Sequence, residues 1–220
     1  LADILGNFVN RTFAFAEQHF AGEVPKQGPL SKIDKEMLAK MKETPAKAGD
    51  LIDRYRFREA TLEIMNLARD ANKYFNDSAP WKVLKSDPSS CATTIRICLE
   101  VVRSLAILIA PIVPFISQRM WHMLNQDGKV EKQKWDGASE PHLQDSQKLN
   151  RSEILVRKVE DKHIEEVIRF LEKGGTDSFV HATDSKPVVS LDEFKKIDLR
   201  LGKVESAERV PKSDKLLKLL

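Results

Sequence analysis

Residues 89–117, SSCATTIRICLEVVRSLAILIAPIVPFIS, contain the strongest structural signal of the chain. The second half of this stretch is the most apolar run of the chain, but it is too short for a membrane span and contains Pro111 and Pro114. Asp87 and Pro88 precede it, and this pair is typical of a capped helix start. We therefore predict a buried core helix from Cys91 to about Asn125, with a kink or break at the two prolines.

The residues before this stretch follow a helical period of 3.6. Residues 1–20 predict an amphipathic helix, and Ser31 is placed to cap a short helix that runs through Met41. A long helix is predicted from about Gly49 to Phe75, where Asn76, Asp77 and Ser78 stop it. Asp77 or Ser78 would also cap the next, short helix. Helices joined by short loops predict a mainly α protein with a helical bundle.

The periodicity changes towards the end of the chain. A last helix over Ile164–Leu171 ends at Gly174 and Gly175, and a stretch rich in Gly, Ser, Thr and Asp follows. IDLRLGKVE then alternates apolar and polar residues as a strand does, and KLLKLL fits a second strand or a helix start. About 30 residues cannot close a β-barrel. We predict a helical domain over 1–173, a linker over 174–189 and the truncated beginning of a β domain over 190–220.

Composition sets limits on function. Of 220 residues, 36 are basic and 33 acidic, so a net charge of +3 does not by itself indicate a nucleic-acid-binding protein. The apolar share of 41% is enough for a core. Cys91 and Cys98 lie seven residues apart on a predicted helix, too far apart for a disulfide, and no histidine is near. We expect reduced, buried thiols of a cytosolic protein.

Catalytic motifs are missing from the sequence. It has no glycine-rich phosphate loop, and the five histidines are scattered without a metal-binding pair. Single acids on helices, such as Glu63, Asp70 and Glu100, are assigned structural roles. We therefore expect this chain to be non-catalytic by itself. Both ends interrupt an apolar pattern, so we expect it to be a piece of a longer protein.

A polar stripe on the first helix is a candidate binding surface. Asn7 and Arg11 are one turn apart and point together, and Asn10 lies beside them. An asparagine can donate to and accept from a base edge, and an arginine offers a fork of donors or a stacking plane. Composition alone favours the ordinary alternative, a helix surface that meets only water.

Trp81 raises a similar choice, because it follows Pro80 in the first turn of the short helix. The ordinary role of such an indole is to cover the junction of two helices. The functional role is to stack on an unpaired base, as aromatic side chains do in proteins that bind single-stranded RNA. Lys73, Lys82 and Lys85 could then hold phosphates, or could simply be solvated.

Three motifs together show a resemblance to a known family. They are NFVNRTFAF in the first helix, NKYFNDSAPWKVLK after the long helix, and APIVPFISQRMW. The chain from Leu1 to Lys173 resembles the helical anticodon-binding domain of methionyl-tRNA synthetases, which are class I enzymes. The pattern N-K-Y-x-x-x-x-A-P-W is its most specific element. The A-P-x-x-P piece is shared with class I synthetases for other aliphatic amino acids.

The resemblance implies a role for each residue of the two candidate surfaces. Asn7, Arg11 and Trp81 correspond to the residues that read the CAU anticodon of tRNA-Met in the family. Pro80 would shape the turn that presents the indole, and Asn10 is an additional member of the stripe. The polar stripe and the Pro80–Trp81 turn both occur where the family has them. The resemblance therefore favours a binding role over an ordinary structural role for both.

The resemblance also implies what the longer protein would do. It would be a methionine–tRNA ligase of the cytoplasm, in which a catalytic domain missing here uses ATP with Mg and carries a structural zinc. KMKET near Lys40 is not one of the ATP-handling signatures, and no cofactor is expected in this fragment. The tail FKKIDLRLGKVESAERVPKSDKLLKLL resembles the start of an oligonucleotide-binding (OB) fold that binds tRNA and drives homodimerisation.

Two alternatives remain open at this point. The first is the anticodon domain of a related class I synthetase, for example for isoleucine, valine or cysteine. The second is a non-catalytic tRNA-binding or scaffold protein whose helices contact partner proteins. The preferred anticodon would separate the first alternative from the main interpretation, and the sequence upstream of Leu1 would separate the second.

Overall fold

The computed structural model describes residues 2–156, 161–172, 190, 196, 204–209 and 217–219, and the chain forms two compact units. The first unit is Leu1–Val159 and is helical. It contains a π-helical turn Ala2–Gly6, α1 Asn7–His19, α2 Lys32–Asp53, α3 Phe57–Ser78, α4 Pro80–Val83, α5 Pro88–Ile109, α6 Pro114–Met123, and two 3-10 turns Val130–Lys132 and Trp135–Ser139. The predicted mainly α fold is confirmed.

Helix α5 is the centre of this bundle, as the apolar stretch predicts. Every residue from 93 to 109 is buried, and α5 contacts α1, α2, α3, α4 and α6. The Asp87 side chain accepts a hydrogen bond from the backbone N–H of Ser90 at 3.0 Å, so the predicted cap is confirmed. The helix ends at Ile109, and α6 begins at Pro114, whose missing N–H costs nothing in a first turn.

Two predicted helix boundaries are wrong. The helix that starts after Ser31 does not stop at Met41 but runs through Pro45 to Asp53. Proline removes one hydrogen bond of a helix, but Pro45 is buried in the bundle and its carbonyl accepts from Trp135 Nε1 at 2.8 Å. A Cβ on Gly49 would lie 3.2 Å from that same indole nitrogen, so the glycine makes room for the ring.

The long helix begins at Phe57 rather than at Gly49, because a tight turn separates it from α2. Tyr55 adopts a left-handed conformation with φ of 59°. The N–H of Arg56 bonds to Leu51 O at 2.8 Å, and that of Tyr55 to Ile52 O at 2.8 Å. This is the backbone pattern of a helix C-terminal cap, formed here without the usual glycine.

A buried charge network ties the loop after the second 3-10 turn to α5. Glu100 is 2% exposed and accepts hydrogen bonds from the backbone N–H groups of His142 and Leu143, both at 2.9 Å. Arg96 contacts Glu100 at 3.3 Å and Asp145 at 2.6 Å. Such a network keeps buried charges paired, which agrees with the structural role predicted for Glu100.

The two cysteines are free and buried in α5. Burial raises the pKa of the Cys91 thiol to about 11, and it also raises the pKa of Cys98 above its ordinary value. Because the thiolate is the reactive form, we expect both thiols to react with a disulfide reagent such as DTNB at pH 8 only after unfolding in urea. Fast reaction of the native chain would contradict their placement in the core.

The second unit is Glu160–Leu220. It contains α7, Asp161–Glu172, which confirms the last predicted helix, and a two-stranded antiparallel sheet. Strand β1, Ala207–Arg209, pairs with β2, Leu217–Leu219, in the register Ala207 to Leu219. Of the two alternatives for KLLKLL, the strand is therefore confirmed.

Several predictions fall on residues that the structure does not describe. The predicted linker, 174–189, and most of the strand predicted over IDLRLGKVE lie outside the described residues. The domain boundaries at 173 and 189 stay predictions. Among the helices that are described, none is both long and apolar enough to cross a membrane.

Candidate nucleic-acid interface

The polar stripe of α1 lies near the C-terminal half of α3. Asn7 and Asn10 are exposed and Arg11 is half-buried. Asn7 and Arg11 line one surface concavity of about 280 Å³. The remaining lining residues are Asp3, Ile4, Arg69, Asn72 and Asn76, whereas Asn10, Pro80 and Trp81 are not part of it. The predicted one-turn spacing therefore brings Asn7 and Arg11 together.

The turn between α3 and α4 places Trp81 on the surface. Ala79 adopts a left-handed conformation with φ of 41°, Pro80 is buried at the first position of α4, and the Trp81 side chain is 48% exposed. Ala79 O accepts from the N–H of Lys82 at 2.8 Å, and Pro80 O accepts from Cys91 Sγ at 3.5 Å. Hydrogen bonds within the turn and from α5 to the turn thus hold the backbone on which the indole is placed.

The predicted cap of α4 is wrong. Ala79 precedes the helix and no side chain caps it. The Asp77 carboxylate instead pairs with Lys73, one turn earlier on α3, and the Ser78 hydroxyl is buried without a hydrogen-bond partner among the described residues. A proline at the first helical position reduces the need for a cap, because one unpaired donor is already absent.

Phe75 connects the two predicted surfaces. The guanidinium carbon of Arg11 lies 4.5 Å from the centroid of the Phe75 ring. The Trp81 and Phe75 ring centroids are 6.0 Å apart, with an angle of 33° between the planes. Phe75 itself is 3% exposed. Arg11 and Trp81, 70 residues apart in sequence, therefore both contact the ring of Phe75. Neither the polar stripe of α1 nor the motif around Trp81 indicated this.

Sequence reasoning also missed the polar groups that α3 contributes to the concavity. Arg11 Nη2 donates to Asn76 Oδ1 at 2.8 Å. Asn72 Nδ2 donates to the carbonyls of Ile4 at 2.9 Å and Ala68 at 3.0 Å. Asn72 and Asn76 are one helical turn apart, so their spacing was the signal that could have identified a second polar stripe.

The three lysines differ in what they contact. Lys73 is paired with Asp77, and the hydrogen bond that its ammonium donates to that carboxylate raises the pKa of Lys73. Lys82 and Lys85 are exposed and make no ion pair with the part of the chain that is described. These two lysines, one and four residues after Trp81, are free to contact a phosphate.

No metal site accompanies these residues. Within the described ranges, no group of three or more His, Cys, Asp or Glu side chains is arranged to hold a metal ion. The concavity instead offers amide and guanidinium groups, which form hydrogen bonds with base edges and phosphates rather than coordinating cations.

Comparison with known proteins identifies the class of this fold. A family model described as the anticodon binding domain of methionyl tRNA ligase matches residues 24–173. The crystal structure of the apo methionyl-tRNA synthetase of Mycobacterium tuberculosis superposes with a TM-score of 0.67 at 27% identity, over 73% of this chain and 33% of that one. The same enzyme in complex with methionyl-adenylate gives a TM-score of 0.66 at 26% identity, over 72% and 31%. The bundle is a helical anticodon-binding domain.

Curated relatives extend the match to the whole chain. The methionine–tRNA ligase of Phocaeicola vulgatus is 39% identical over 99% of this chain and 32% of its own length. That of Methanopyrus kandleri is 34% identical over 98% and 31%. The chain belongs to the methionyl-tRNA ligase family and spans about a third of the length of these relatives. This result favours the main interpretation over a related synthetase or a scaffold protein.

The matched ranges differ in what they cover at the candidate interface. Pro80 and Trp81 lie within the residues matched by the family model, whereas α1 with Asn7 and Arg11 precedes them. The alignment with the relative from Phocaeicola vulgatus covers 99% of the chain. The family is therefore shown for nearly the whole chain, and the family model itself includes Trp81 but not Asn7 or Arg11.

Proposed function

We propose that this chain selects the tRNA for a methionine–tRNA ligase by binding the CAU anticodon at Asn7, Arg11 and Trp81. The observation that carries the proposal is that Trp81, 48% exposed, and Arg11 both contact the ring of Phe75. A planar platform and one residue of the polar concavity thus contact the same ring. Aromatic and polar groups together are the combination that unstacked bases of an RNA loop require.

Trp81 would provide affinity. Its half-exposed indole can accept a base on the open part of the ring, and a stacked base contributes about 1–3 kcal/mol whatever its identity. The buried Pro80 restricts the backbone just before Trp81, so little backbone freedom remains to be lost on binding. Lys82 and Lys85 would add attraction to the phosphates that flank the base.

Asn7 and Arg11 would provide specificity. The amide of Asn7 can donate to and accept from one base edge, and Asn10 extends this polar surface along α1. Arg11 uses one donor for Asn76 and keeps others for a base or a phosphate. A mismatched base leaves such groups unpaired, which costs about 1–3 kcal/mol per buried group.

The complete enzyme would carry the remaining chemistry outside this chain. It would aminoacylate tRNA-Met with methionine and ATP in the cytoplasm, with Mg accompanying the nucleotide and a structural zinc in the catalytic part. The described residues include no cluster that fits either metal, so none of them is assigned a role with these groups. The strands β1 and β2 would begin an OB-type module that binds tRNA and forms a homodimer once complete.

The experiment that tests the proposal compares two RNA stem–loops that differ only in the anticodon, CAU and GAU. The 220-residue chain should bind the CAU loop at least about tenfold more tightly in fluorescence anisotropy, which corresponds to about 1.4 kcal/mol. Equal affinity for the two loops would overturn the assigned specificity.

Replacing Arg11 with alanine tests the role of the stripe in the complete ligase. We expect kcat/KM for charging tRNA-Met to fall by about tenfold, because both the hydrogen bonds and the stacked guanidinium are lost. Methionine-dependent ATP–pyrophosphate exchange should be unchanged, since it needs no tRNA. A parallel loss of both activities would indicate a role in folding or domain docking instead.

A further inference from the structure

We propose that Phe75 is a positioning residue, which holds Arg11 and Trp81 in register so that one RNA loop can contact both. This inference rests on the proposed function and adds a residue to it. Arg11 and Trp81 belong to separate elements, α1 and α4, and Phe75 on α3 contacts both of them. Their relative placement therefore depends on this ring.

The ring of Phe75 is suited to this role because the core fixes it. It is 3% exposed and belongs to the main hydrophobic cluster. Phe15 of α1 meets it edge-on, with ring centroids 6.2 Å apart and an angle of 87°. Edge-to-face and offset pairs are favourable aromatic geometries, so contacts from two sides define the plane of the ring. A fixed plane can impose an orientation on what stacks against it.

Arg11 is oriented by two neighbouring residues of α3. Its guanidinium lies over the Phe75 ring at 4.5 Å and donates to Asn76 at 2.8 Å. A guanidinium above an aromatic face is attracted by the ring electrons, and the hydrogen bond limits its rotation. The long side chain thus loses its freedom before RNA arrives, which reduces the entropy cost of binding.

Trp81 depends on the same ring in a different way. Its side chain is 48% exposed, and its indole lies against the Phe75 ring with 6.0 Å between the ring centroids. Without that contact the indole could rotate about its side-chain bonds and stack on a base in only a fraction of its conformations. We therefore expect a change at Phe75 to affect the platform and the stripe together.

The test replaces the flat ring with apolar side chains that fill part of its volume. In the 220-residue chain, Phe75→Leu and Phe75→Met should each weaken binding of the CAU stem–loop by about tenfold, because both ring contacts are lost. Acrylamide should quench more of the tryptophan fluorescence in these variants. The added quenching should vanish when Trp81→Phe is introduced as well, which assigns it to Trp81.

The matched control is Phe13→Leu. Phe13 is a fully buried phenylalanine of α1, and within the described part of the chain its ring stacks on neither Arg11 nor Trp81. We expect a loss of stability in urea unfolding comparable with that of Phe75→Leu, but an unchanged affinity of the folded chain for the CAU loop. A similar loss of affinity in both variants would reduce Phe75 to an ordinary core residue and overturn the inference.

The outcomes separate this inference from the proposed function. If Arg11→Ala and Trp81→Ala leave CAU binding unchanged, the proposed function itself is wrong. If those two variants weaken binding and Phe75→Leu and Phe75→Met do not, the proposed function stands and the positioning role is rejected. A loss for all four, with Phe13→Leu unchanged, supports both.

Discussion

Replacing Trp81 with alanine is expected to weaken binding of the CAU stem–loop by roughly 10- to 100-fold, since base–aromatic stacking contributes about 1–3 kcal/mol. In the complete ligase, kcat/KM for charging tRNA-Met should fall by about tenfold or more, whereas methionine-dependent ATP–pyrophosphate exchange should not change. Fluorescence anisotropy with the labelled loop and steady-state charging kinetics measure the two effects.

The loss should come from RNA contacts and not from unfolding. The Trp81 side chain is 48% exposed, and the substitution leaves the buried Pro80 before it unchanged. Truncating a half-exposed side chain costs far less than creating a cavity in the core. Urea unfolding of Trp81→Ala should therefore retain a cooperative transition close to that of the unaltered chain.

Two further variants separate stacking from general effects on the surface. Trp81→Phe keeps an aromatic face and should lose less affinity than Trp81→Ala. Phe115→Ala removes an aromatic side chain that is 85% exposed at the start of α6, and it should leave RNA binding unchanged. Unaltered affinity of Trp81→Ala in a folded chain would remove the stacking platform from the proposal.

Much of the fold follows from local signals in the sequence. The apolar run that contains Pro111 and Pro114 predicts the central helix with a kink or break at the prolines. Asp87 with Pro88 predicts the start of that helix, because the cap depends only on residues that are neighbours in the chain. The 3.6-residue period identified α1 and α7 in the same way. Signals of this kind need no knowledge of the tertiary structure.

The errors occur where a distant residue decides the local conformation. Helix α2 continues through Pro45, and the carbonyl of that proline is bonded to Trp135, which is 90 residues further along the chain. Tyr55 takes a left-handed conformation that sequence rules reserve for glycine or asparagine. The sequence prediction ended one helix at Met41 and ran the next from Gly49 past Tyr55, and the packing of the bundle overrides both local signals.

The candidate interface likewise has features that the sequence predicts and features that depend on distant residues. The spacing of Asn7 and Arg11 and the proline before Trp81 are local, and they could be predicted. The role of Phe75 could not, because it lies in contacts with distant residues. The one-turn spacing of Asn72 and Asn76 is visible in the sequence, but the bond of Asn76 with Arg11, 65 residues away, is not. In the periodic pattern Phe75 is simply another apolar position on the buried face of α3.

Replacing Glu100 with alanine is expected to lower the free energy of unfolding by about 3–5 kcal/mol, the usual cost of breaking a buried ion pair from one side. The substitution removes the acceptor of two backbone N–H groups, those of His142 and Leu143, and leaves Arg96, 8% exposed, without that partner. Domains of ordinary stability have only about 5–15 kcal/mol in total. Urea unfolding followed by circular dichroism measures the effect. We expect the dependence of the unfolding free energy on urea concentration to be unchanged.

Glu36→Ala provides the matched control, because it removes a glutamate that is 59% exposed and 3.9 Å from Lys32 on the same helix. Exposed pairs contribute little, so we expect a change within about 0.5 kcal/mol. Glu100→Gln retains an oxygen for one of the N–H groups and should lose less than Glu100→Ala. A free energy of unfolding of Glu100→Ala within about 1 kcal/mol of that of the unaltered chain would contradict this prediction. Water would then satisfy the freed donors. The loop after the second 3-10 turn would be held by its apolar contacts, chiefly those of Leu143, which is 4% exposed.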